Sequence, residues 1–589
     1  MKKQILLITF LCLTLVLQAQ TTTPPSGSGT SADPYLIASL NNLYWISQNS
    51  TSWSGYFLQT ADIDASATSS WNSGTGWAPI APFTTTSGTY FSGTYNGGGH
   101  TISGLTIHNT STYTGWGLFA VIWGGTISNL SVSNANVAGA GMVGIIGGLA
   151  VGNSVFTNCI SSGTVSGSIG TEDLGNGTGG LIGGAYYYNG SSTISNCSSS
   201  ATVSSSHKNV GGLIGKNQSS IKHCYATGTV TSSVESSNNE TCVGGLVGDN
   251  QGPLSKSYAS GAVSGQSCLG GLTGKNANED GNYTSVTLDS CYATGAVTVL
   301  YSTSNSANAG GLVGENYAAN ITHSYAKGNV AGLSSSSNVG GLAGFNTNSG
   351  NISYCYATGA VSGGGSIGGL VGQVNSSSTV TNSYARGNTT GTQNNVGGLV
   401  GRNANSVITN SYSIGTAYSV GCYGGILGSN EDNSASITNS FWNTETSGLT
   451  NGCGFNQANF SATGKTTAEM KTQSTFTTAG WNFSSIWSIN TSYNDGYPIF
   501  SGQDIINAIA EIKVNKCISL YPNPASDSFY LNSGEQVNIV SVFNLDGSFI
   551  LSKQVMSNDR VNIGLLSQGI YMVKIANKNG ITTQKLIKE

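Results

Sequence analysis

Short apolar segments recur along most of the chain, and pairs of glycines separate them. A Gly-Gly-Leu-x-Gly core, or a close variant of it, begins at Gly147, Gly179, Gly211, Gly244, Gly270, Gly310, Gly340, Gly368, Gly397 and Gly424. Each core is followed by a second block, such as Ile221-Lys-His-Cys-Tyr-Ala-Thr-Gly-Thr-Val230 or Ile321-Thr-His-Ser-Tyr-Ala-Lys-Gly-Asn-Val330. This pattern predicts a repeat of about 30 residues that holds at least two short strands.

Such a repeat shows no helical periodicity and cannot bury its apolar face alone, so neighbouring repeats must stack. We therefore predict an all-β chain whose main part is a parallel β-helix (β-solenoid) with terminal caps. The coils are marked by Ile-x-x blocks that begin at Ile102, Ile127, Phe156 and Ile194 and continue to Ile437. Counting these blocks predicts about twelve coils.

Side-chain direction in the second block follows from the alternation of a β-strand. Lys327 and Arg386 directly follow the recurring alanine, and an unpaired charge does not fit inside a solenoid core. The alanine is therefore expected to point inward and the tyrosine before it outward. The outward residues are Tyr225, Tyr258, Tyr292, Tyr325, Tyr356, Tyr384 and Tyr412.

The residue before each of these tyrosines is expected to point inward. It is Cys224, Ser257, Cys291, Ser324, Cys355, Ser383 or Ser411. Cysteine and serine alternate here as buried groups of similar size, which favours free thiols over disulfides, the alternative for an exported chain.

A further set of matching positions follows the glycine cores. It consists of Asn217, Asn250, Asn276, Asn316, Asn346, Asn403 and Asn430. Asparagine tolerates the left-handed backbone of a tight turn, and stacked amides can bond from coil to coil, so we predict a structural role. The residues before the first four, Lys216, Asp249, Lys275 and Glu315, alternate in sign, which predicts cross-strand ion pairs.

Composition supports a folded repeat array. Glycine supplies 84 residues and charged side chains only 7%, against roughly 25% in an ordinary soluble domain. A hydrophobic share of 38%, with 27 Tyr and 16 Phe, is too rich for a disordered chain. The net charge of -4 and the absence of Lys and Arg between Lys3 and Lys208 argue against nucleic acid as a partner.

The N-terminus has the layout of a secretory signal peptide over residues 1–19. Lys2 and Lys3 precede an apolar run from Ile5 to Leu17, and Leu17-Gln18-Ala19 fits a cleavage site after Ala19. The alternative is a membrane anchor, but the run is shorter than the roughly 18 to 20 residues that a span needs. We therefore expect no transmembrane span in the mature chain.

The glycine cores, with their Ser/Cys-Tyr-Ala-x-Gly partners, resemble the GLUG repeats of bacterial surface proteins, which include adhesins and some relatives of IgA proteases. Segments on either side resemble the usual lead-in and close of such arrays, for example Phe91-Ser-Gly-Thr-Tyr-Asn-Gly97 and Phe441-Trp-Asn-Thr-Glu445. We assign residues 20–101 to the N-terminal lead-in and cap, 102–445 to the solenoid and 446–502 to the C-terminal cap and linker. A short capping helix is expected from Ala38 to Ser47.

Composition changes after Gly502, because the last part of the chain is richer in lysine and arginine. Leu520-Tyr-Pro-Asn-Pro-Ala525 and alternating strands such as Gly569-Ile-Tyr-Met-Val-Lys-Ile575 predict a small β-sandwich over residues 513–589. This part resembles the type IX secretion C-terminal sorting domain of Bacteroidetes. The resemblance implies export across both membranes by the type IX secretion machinery, to the cell surface or the extracellular space.

No motif for catalysis, a metal or a cofactor stands out. None of the five histidines begins a His-Glu-x-x-His motif, so we expect no zinc protease chemistry. The acidic pairs are Glu172-Asp173, Glu279-Asp280 and Glu431-Asp432. Each lies in a polar insertion, which favours a solvated loop over a hydrolase site or a calcium site.

The tyrosine row is the candidate ligand-binding surface, because exposed rings can bind the apolar faces of sugars or contact a protein. The alternative is that the rings only shield the sheet and one another. The leading hypothesis is a non-enzymatic adhesin that binds a glycan or a host or matrix protein along an extended face. A polysaccharide-degrading β-helix enzyme and a passive surface stalk are the alternatives.

Overall fold

The computed structural model describes residues 20–589 apart from 83–89, 110–114, 169–175, 234–240, 280, 301–306, 335–337, 433, 456–457, 503–518, 533–537, 545–547, 557–558 and 578–579. The predicted signal peptide, the Glu172-Asp173 pair and Asp280 lie outside the described residues. Packing divides the chain into two units, Met1–Met470 with Thr478–Trp481 and Lys471–Thr477 with Asn482–Glu589.

The first unit is a β-solenoid built from four parallel sheets, which confirms the predicted fold class. In each coil the chain passes once through sheet one, twice through sheet two, and once each through sheets three and four. Sheet one contains Tyr35–Ile37, Tyr56–Gln59, Thr94–Asn96, Thr126–Ser128, Val155–Thr157, Thr193–Ser195, Ser220–Lys222, Leu254–Ser255, Thr287–Asp289, Asn320–Thr322, Asn351–Ser353, Thr379–Thr381, Val407–Thr409 and Ser436–Thr438.

Sheet two carries the tyrosines and, in most coils, a second strand after them. It contains Ile63–Asp64, Thr101–Ser103, Thr106–Asn109, Ser131–Ala140, Ile160–Ser168, Ser198–Ser199, Thr202–Ser205, Tyr225–Ala226, Val230–Ser232, Tyr258–Ala259, Val263–Gly265, Tyr292–Ala293, Val297–Val299, Tyr325–Ala326, Val330–Ala331, Tyr356–Ala357, Val361–Gly363, Tyr384–Ala385, Thr389–Gly391, Tyr412–Ser413, Ala417–Tyr418, Phe441–Asn443 and Thr463–Lys465.

Sheets three and four hold the glycine cores and the residues that follow them. Sheet three contains Gly115–Trp116, Met142–Val143, Gly177–Gly179, Val210–Gly211, Cys242–Gly244, Cys268–Gly270, Asn308–Gly310, Asn338–Gly340, Ser366–Gly368, Val396–Gly397 and Tyr423–Gly424. Sheet four contains Phe119–Trp123, Gly147–Val151, Ile182–Tyr186, Ile214–Asn217, Val247–Asn250, Thr273–Ala277, Val313–Tyr317, Ala343–Thr347, Val371–Val374, Val400–Asn403, Leu427–Asn430 and Cys453–Phe455.

The solenoid has about 11 complete coils, because sheet three has 11 strands. The sequence count was higher by one because it included Ile102. The strand Thr101–Ser103 pairs with Ser131 to Ser133 and therefore belongs to sheet two. In that coil the strand of sheet one is Thr94–Asn96, which pairs with Thr126–Ser128. Ile102 therefore does not begin a coil.

The second glycine of most cores lies where neighbouring coils approach closely. A Cβ atom added to Gly271 would lie 2.1 Å from the carbonyl oxygen of Gly311 in the next coil. The same 2.1 Å would separate a Cβ on Gly245 from the carbonyl oxygen of Gly271. Because real Cβ atoms do not approach backbone this closely, the coils can stack at this spacing only with glycine here.

Left-handed residues occur at a different corner from the one expected. Asn217 and its counterparts lie in strands of sheet four, so the predicted left-handed turn at these positions was wrong. Positive φ values of 44 to 56° recur instead between sheets one and two, at Asn129, Asn158, Asn196, His223, Lys256, Ser290, His323, Tyr354, Asn382, Asn410 and Asn439. This corner turns each coil from sheet one into sheet two, which holds the tyrosine strands.

Parallel pairing extends beyond residues 102–445 at both ends of the solenoid. At the N-terminal end Tyr35–Ile37, Tyr56–Gln59 and Thr94–Asn96 join sheet one. The expected capping helix is present as Leu40–Gln48, with Ser39 accepting a hydrogen bond from the backbone N–H of Asn42. The other helical segments in the described residues of this unit are Ser50–Ser52, Ser66–Gly74, Thr444–Ser447 and Thr467–Met470.

The second unit contains the predicted C-terminal β-sandwich. A three-stranded antiparallel sheet contains Ser519–Tyr521, Ser528–Asn532 and Arg560–Asn562, and a four-stranded one contains Phe549–Val555, Asn538–Phe543, Gly569–Asn577 and Gly580–Lys588. Side chains of both sheets, such as Phe529 and Val573, share one buried core. Before the sandwich, this unit contains the short helical segments Gln473–Thr477 and Asn494–Gly496 and a pairing of Trp487–Ser488 with Ile499–Phe500.

Candidate functional site: the tyrosine ladder

Tyr225, Tyr258, Tyr292, Tyr325, Tyr356, Tyr384 and Tyr412 form one continuous stack, here called the tyrosine ladder. Each tyrosine is paired in register with the tyrosine of the next coil. Neighbouring ring centroids lie 4.8 to 5.0 Å apart, and neighbouring planes are within 10° of parallel. The solenoid therefore aligns side chains that are widely separated in sequence into a regular row.

The direction of these side chains is as predicted. Ala226, Ala259 and their counterparts are fully buried in the core, and the tyrosines lie on the opposite face of sheet two. Each tyrosine strand is only two residues long and follows a left-handed residue and a buried Cys or Ser. This short motif fixes the ring direction in the same way in every coil.

The exposure of the ladder changes along its length, which the sequence did not predict. Tyr225 is 38% exposed, and Tyr258, Tyr292 and Tyr325 are half-buried. The last three rungs, by contrast, are buried: Tyr356, Tyr384 and Tyr412. At this end the indole of Trp481 lies 6.4 Å from the ring of Tyr412. The expectation of exposed rings therefore holds only for the first four rungs.

Burial raises the pKa of the phenols of Tyr258, Tyr292 and Tyr325. Burial, with a smaller contribution from the neighbouring phenols, raises the pKa of Tyr258 to about 12. The same two causes raise the pKa of Tyr325, and burial raises that of Tyr292. The ammonium group of Lys327 lies 5.3 Å from the centroid of Tyr325, a favourable cation–π distance. The surface is thus a row of neutral hydroxyl groups with a cation beside it.

The stacking decides which atoms the ladder can offer to a ligand. Each inner ring has both faces covered by its neighbours, so a sugar ring cannot stack on those faces. The edges and the hydroxyl groups of the first four rungs remain available, at the repeat of the coils. The ladder can therefore offer a linear series of hydrogen-bond donors and acceptors.

The asparagines after the glycine cores form a second, buried stack, the amide ladder. The side-chain amide of Asn217 donates to Asn250, Asn250 to Asn276, Asn276 to Asn316 and Asn316 to Asn346, at 2.8 to 2.9 Å. Asn403 donates to Asn430 at 2.9 Å. These hydrogen bonds confirm the predicted bonding from coil to coil. All the asparagines that form them are fully buried.

The predicted cross-strand charge series is present in part. Lys216 Nζ lies 3.7 Å from Asp249 Oδ2 in the next coil. Lys275 also contacts Glu279, with Nζ 2.7 Å from Oε1, and Glu315 accepts a hydrogen bond from Asn308. Gln251 Nε2 donates to Asp249 Oδ2 at 3.1 Å and to Glu279 Oε2 at 3.4 Å, so one amide bridges these two carboxylates.

The inward Cys and Ser residues bind backbone groups that the strands cannot satisfy. Ser324 Oγ accepts a hydrogen bond from the N–H of Cys291 in the preceding coil at 3.0 Å and donates to the carbonyl of Thr322 at 2.7 Å. Cys224 has the same two roles toward Cys197 and Lys222. The alternation thus reflects a shared hydrogen-bonding role as well as similar size. Cys159, Cys197, Cys224, Cys242, Cys268, Cys291, Cys355, Cys422 and Cys453 are all free thiols.

Replacing Ser324 with alanine is expected to lower the free energy of unfolding by about 1 to 3 kcal/mol, because the N–H of Cys291 loses its buried acceptor. Replacing Ser324 with cysteine keeps both roles and should cost less. Thermal unfolding of the two variants compares them directly. Equal losses would contradict the hydrogen-bonding role of this position.

The described acidic residues of the insertions bind within their own loops or to a neighbouring coil. Asp432 accepts hydrogen bonds from Ser434 and Ala435, and these bonds, that from the Ser434 side chain first, lower its pKa. Glu431 accepts from Arg402. His323 lies at a left-handed corner, 3.1 Å from Asp289. Within the described part of the chain, no group of three or more His, Cys, Asp or Glu side chains could hold a metal ion.

A second group of aromatic side chains escaped the sequence interpretation. Tyr90, Trp123, Tyr187, Tyr188 and Tyr283, here called the aromatic cluster, lie at the corner that leads from sheet four into sheet one. They belong to segments that differ from coil to coil, so a search for matching repeat positions passes over them. The run Tyr186-Tyr187-Tyr188 was the available signal.

The solenoid and the C-terminal sandwich together define a repeat protein with a separate terminal domain. Residues 519–589 match the secretion system C-terminal sorting domain, and residues 206–231, 305–331, 335–362 and 392–418 match the GLUG motif. Both resemblances drawn from the sequence are confirmed. The sorting domain identifies the chain as cargo of the type IX secretion machinery, exported to the cell surface or the extracellular space.

Individual proteins match smaller parts of the chain. It is similar to halomucin of Haloquadratum walsbyi, with 40% identity over 161 residues, which are 27% of this chain and 2% of halomucin. The solved structure of an IgA1 protease aligns with 54% of this chain and 21% of its own, at 16% identity and a TM-score of 0.33. Among the helices in the described residues, none is long and apolar enough to cross a membrane.

Proposed function

We propose that the protein is a non-enzymatic adhesin that binds a glycan or a host or matrix protein along the exposed half of the tyrosine ladder. The observation that carries this proposal is the row formed by Tyr225, Tyr258, Tyr292 and Tyr325. These side chains are held in register and at least partly exposed on an exported solenoid. A ligand with a repeating series of polar groups can bond to several rungs at once.

Rigidity favours binding by this surface. The rings are fixed by stacking on both sides and by two-residue strands, so little side-chain entropy remains to be lost when a ligand binds. Repetition adds multivalency, because each further rung that a long ligand reaches forms its bond at a high effective concentration. Individually weak hydrogen bonds can thus sum to useful affinity.

The test is a binding array of glycans and host matrix proteins, probed with the full chain and with a triple Tyr225→Phe, Tyr258→Phe, Tyr292→Phe variant. Phenylalanine keeps the stacked rings and removes only the hydroxyl groups. Loss of three hydrogen bonds is expected to weaken binding about tenfold or more. Thermal unfolding should be nearly unchanged, because these hydroxyl groups are at the surface.

The same ladder supplies a matched control. Tyr384→Phe removes a hydroxyl group from a buried rung and should leave binding to the array intact. Binding that survives the triple change would contradict the ladder as the binding surface. Absence of binding by the unaltered chain would favour a passive stalk, and turnover of an arrayed polysaccharide would favour the enzyme.

A further inference from the structure

The aromatic cluster is exposed and is built from non-repeating parts of the solenoid. Tyr90, Tyr187 and Tyr188 are 37%, 39% and 55% exposed. All the rings enter from the corner between sheets four and one, whereas the tyrosine ladder lies on sheet two, after the next strand. In repeat proteins, insertions that interrupt the array commonly build the binding face. The cluster is thus a surface separate from the ladder.

The rings of Tyr90 and Tyr188 both pack against the indole of Trp123. The ring of Tyr90 stacks on the indole with centroids 5.0 Å apart and planes 29° apart. The ring of Tyr188 lies 5.1 Å away with its plane at 78° to the indole. Two nearly perpendicular aromatic planes thus meet at the surface, unlike the closed stack of the ladder. Tyr188 is the most exposed of the three tyrosines, so its ring is accessible to a ligand.

A polar network holds the neighbouring rings in place. Tyr283 comes from an insertion that reaches back across two intervening corners, where its hydroxyl group lies 2.6 Å from Ser191 Oγ and donates to the carbonyl of Gln218 at 3.2 Å. Its ring meets that of Tyr187 edge to face at 6.2 Å. The N–H of Tyr187 donates to the side chain of Gln218. The cluster is therefore ordered before any ligand arrives.

The charge around the cluster favours an uncharged ligand. Four of its five residues lie in the long span between Lys3 and Lys208, which contains no Lys or Arg. The nearby Lys216 is engaged, with its ammonium group 5.6 Å from the ring of Tyr186 and 3.7 Å from Asp249. Anionic sugars and nucleic acids require free cations, and Lys216 is not free to serve as one.

We propose that the aromatic cluster is a binding site for a neutral polysaccharide, with sugar rings packed on the exposed rings of Tyr188 and Tyr90 and with hydroxyl and amide groups around them as hydrogen-bond partners. Aromatic faces remove the apolar C–H face of a sugar from water, while Ser191 and the tyrosine hydroxyl groups lie at the rim. The proposal does not depend on the tyrosine ladder, because the two surfaces share no residue.

The test is native affinity electrophoresis of the full chain in gels that contain hydroxyethylcellulose, galactomannan, xyloglucan or dextran, with alginate as the anionic comparison. At least one neutral polymer should retard the unaltered chain. Tyr188→Ala and Tyr90→Ala are expected to weaken that retardation at least about tenfold. Tyr188→Phe should keep it, because stacking uses the ring and not the hydroxyl group.

Tyr418→Ala is the matched control, because Tyr418 is 58% exposed in sheet two, away from the cluster. This variant, and the triple phenylalanine variant of the ladder, should be retarded like the unaltered chain. Circular dichroism and thermal unfolding establish that each variant is folded. Absence of retardation by all four neutral polymers would overturn the proposal, as would retardation that is unchanged in folded Tyr188→Ala. Either result would leave the test of the ladder unaffected.

Discussion

Replacing Asn316 with alanine should lower the free energy of unfolding of the solenoid by about 3 to 5 kcal/mol, because three buried hydrogen bonds are lost together. Asn316 accepts from Asn276 at 2.9 Å and donates to Asn346 and to the carbonyl of Ala319, each at 2.8 Å. Each former partner is left in a dry interior, where an unsatisfied polar group is costly. Guanidinium and thermal unfolding of the full chain measure the loss.

Asn320→Ala provides the comparison for Asn316→Ala, because Asn320 lies near the surface and bonds there to Ser285. This control should change stability by no more than about 0.5 kcal/mol. Similar losses for the two variants would show that the amide ladder adds nothing beyond ordinary packing.

The amide ladder is interrupted at Val374, and adding an asparagine there should stabilise the solenoid. Val374 occupies the ladder position between Asn346 and Asn403, and the buried Oδ1 of Asn403 has no hydrogen-bond donor among the described residues. Val374→Asn places an amide beside that oxygen and is expected to raise the free energy of unfolding by about 1 kcal/mol. Val371→Asn, at a buried position outside the ladder, should lower it.

Replacing Gly271 with alanine is the second change with a large expected effect, a loss of about 3 kcal/mol from overpacking between coils. The added Cβ would meet the carbonyl oxygen of Gly311 at 2.1 Å and the Cβ of Ala293 at 2.9 Å. Backbone in two coils would have to separate, and in a stacked array such a defect weakens the interface on which neighbouring repeats depend. The shift in the thermal unfolding midpoint measures this loss.

Gly265→Ala is the control for the glycine change. The three atoms nearest to a Cβ on Gly265 would be side-chain atoms of Val243, Ser232 and Leu269, at 3.2 to 3.6 Å, and these can adjust. The expected cost is below about 1 kcal/mol. A cost equal to that of Gly271→Ala would mean that the glycine pairs are not required by the close approach of the coils.

Much of the solenoid could be predicted because its repeat indicates which side chains point inward or outward, as well as the length of each coil. Two charged residues after the recurring alanine, Lys327 and Arg386, were enough to assign the outward tyrosines and the inward Cys and Ser. The predicted count of about twelve coils exceeded the observed one by a single coil at Ile102, because Thr101-Ile-Ser103 has the same residues as Thr126-Ile-Ser128, although the two strands lie in different sheets. Local sequence cannot distinguish identical tripeptides that differ only in their neighbours.

Asparagine posed a similar problem. It is the natural residue both for a left-handed corner and for an amide stack, and this chain uses it for both. Asn382 and Asn410 have positive φ values, whereas Asn316 and Asn346 are bonded from coil to coil inside sheet four. Only the sheet to which each residue belongs separates the two roles.

The candidate surfaces were predictable to different extents. The row of tyrosines followed from periodicity, but the burial of Tyr384 and Tyr412 depends on packing that periodicity does not report. The aromatic cluster depends on contacts between residues as far apart as Ser191 and Tyr283. Such contacts arise from insertions that share no pattern, so no repeat-based interpretation could have placed these rings together.

The end of the tyrosine ladder, beside Trp481, limits how the protein can associate with copies of itself. In-register strands, stacked amides and stacked tyrosines are also what hold cross-β fibrils together, and such fibrils grow by adding identical layers at an open end. Here one chain supplies every layer, and the indole lies 6.4 Å from the last tyrosine and 5.8 Å from Phe441. Beyond Tyr412, sheet two continues with Phe441 and then Thr463, so no tyrosine follows the last rung. A second molecule would therefore not meet a tyrosine where continued growth of the stack requires one.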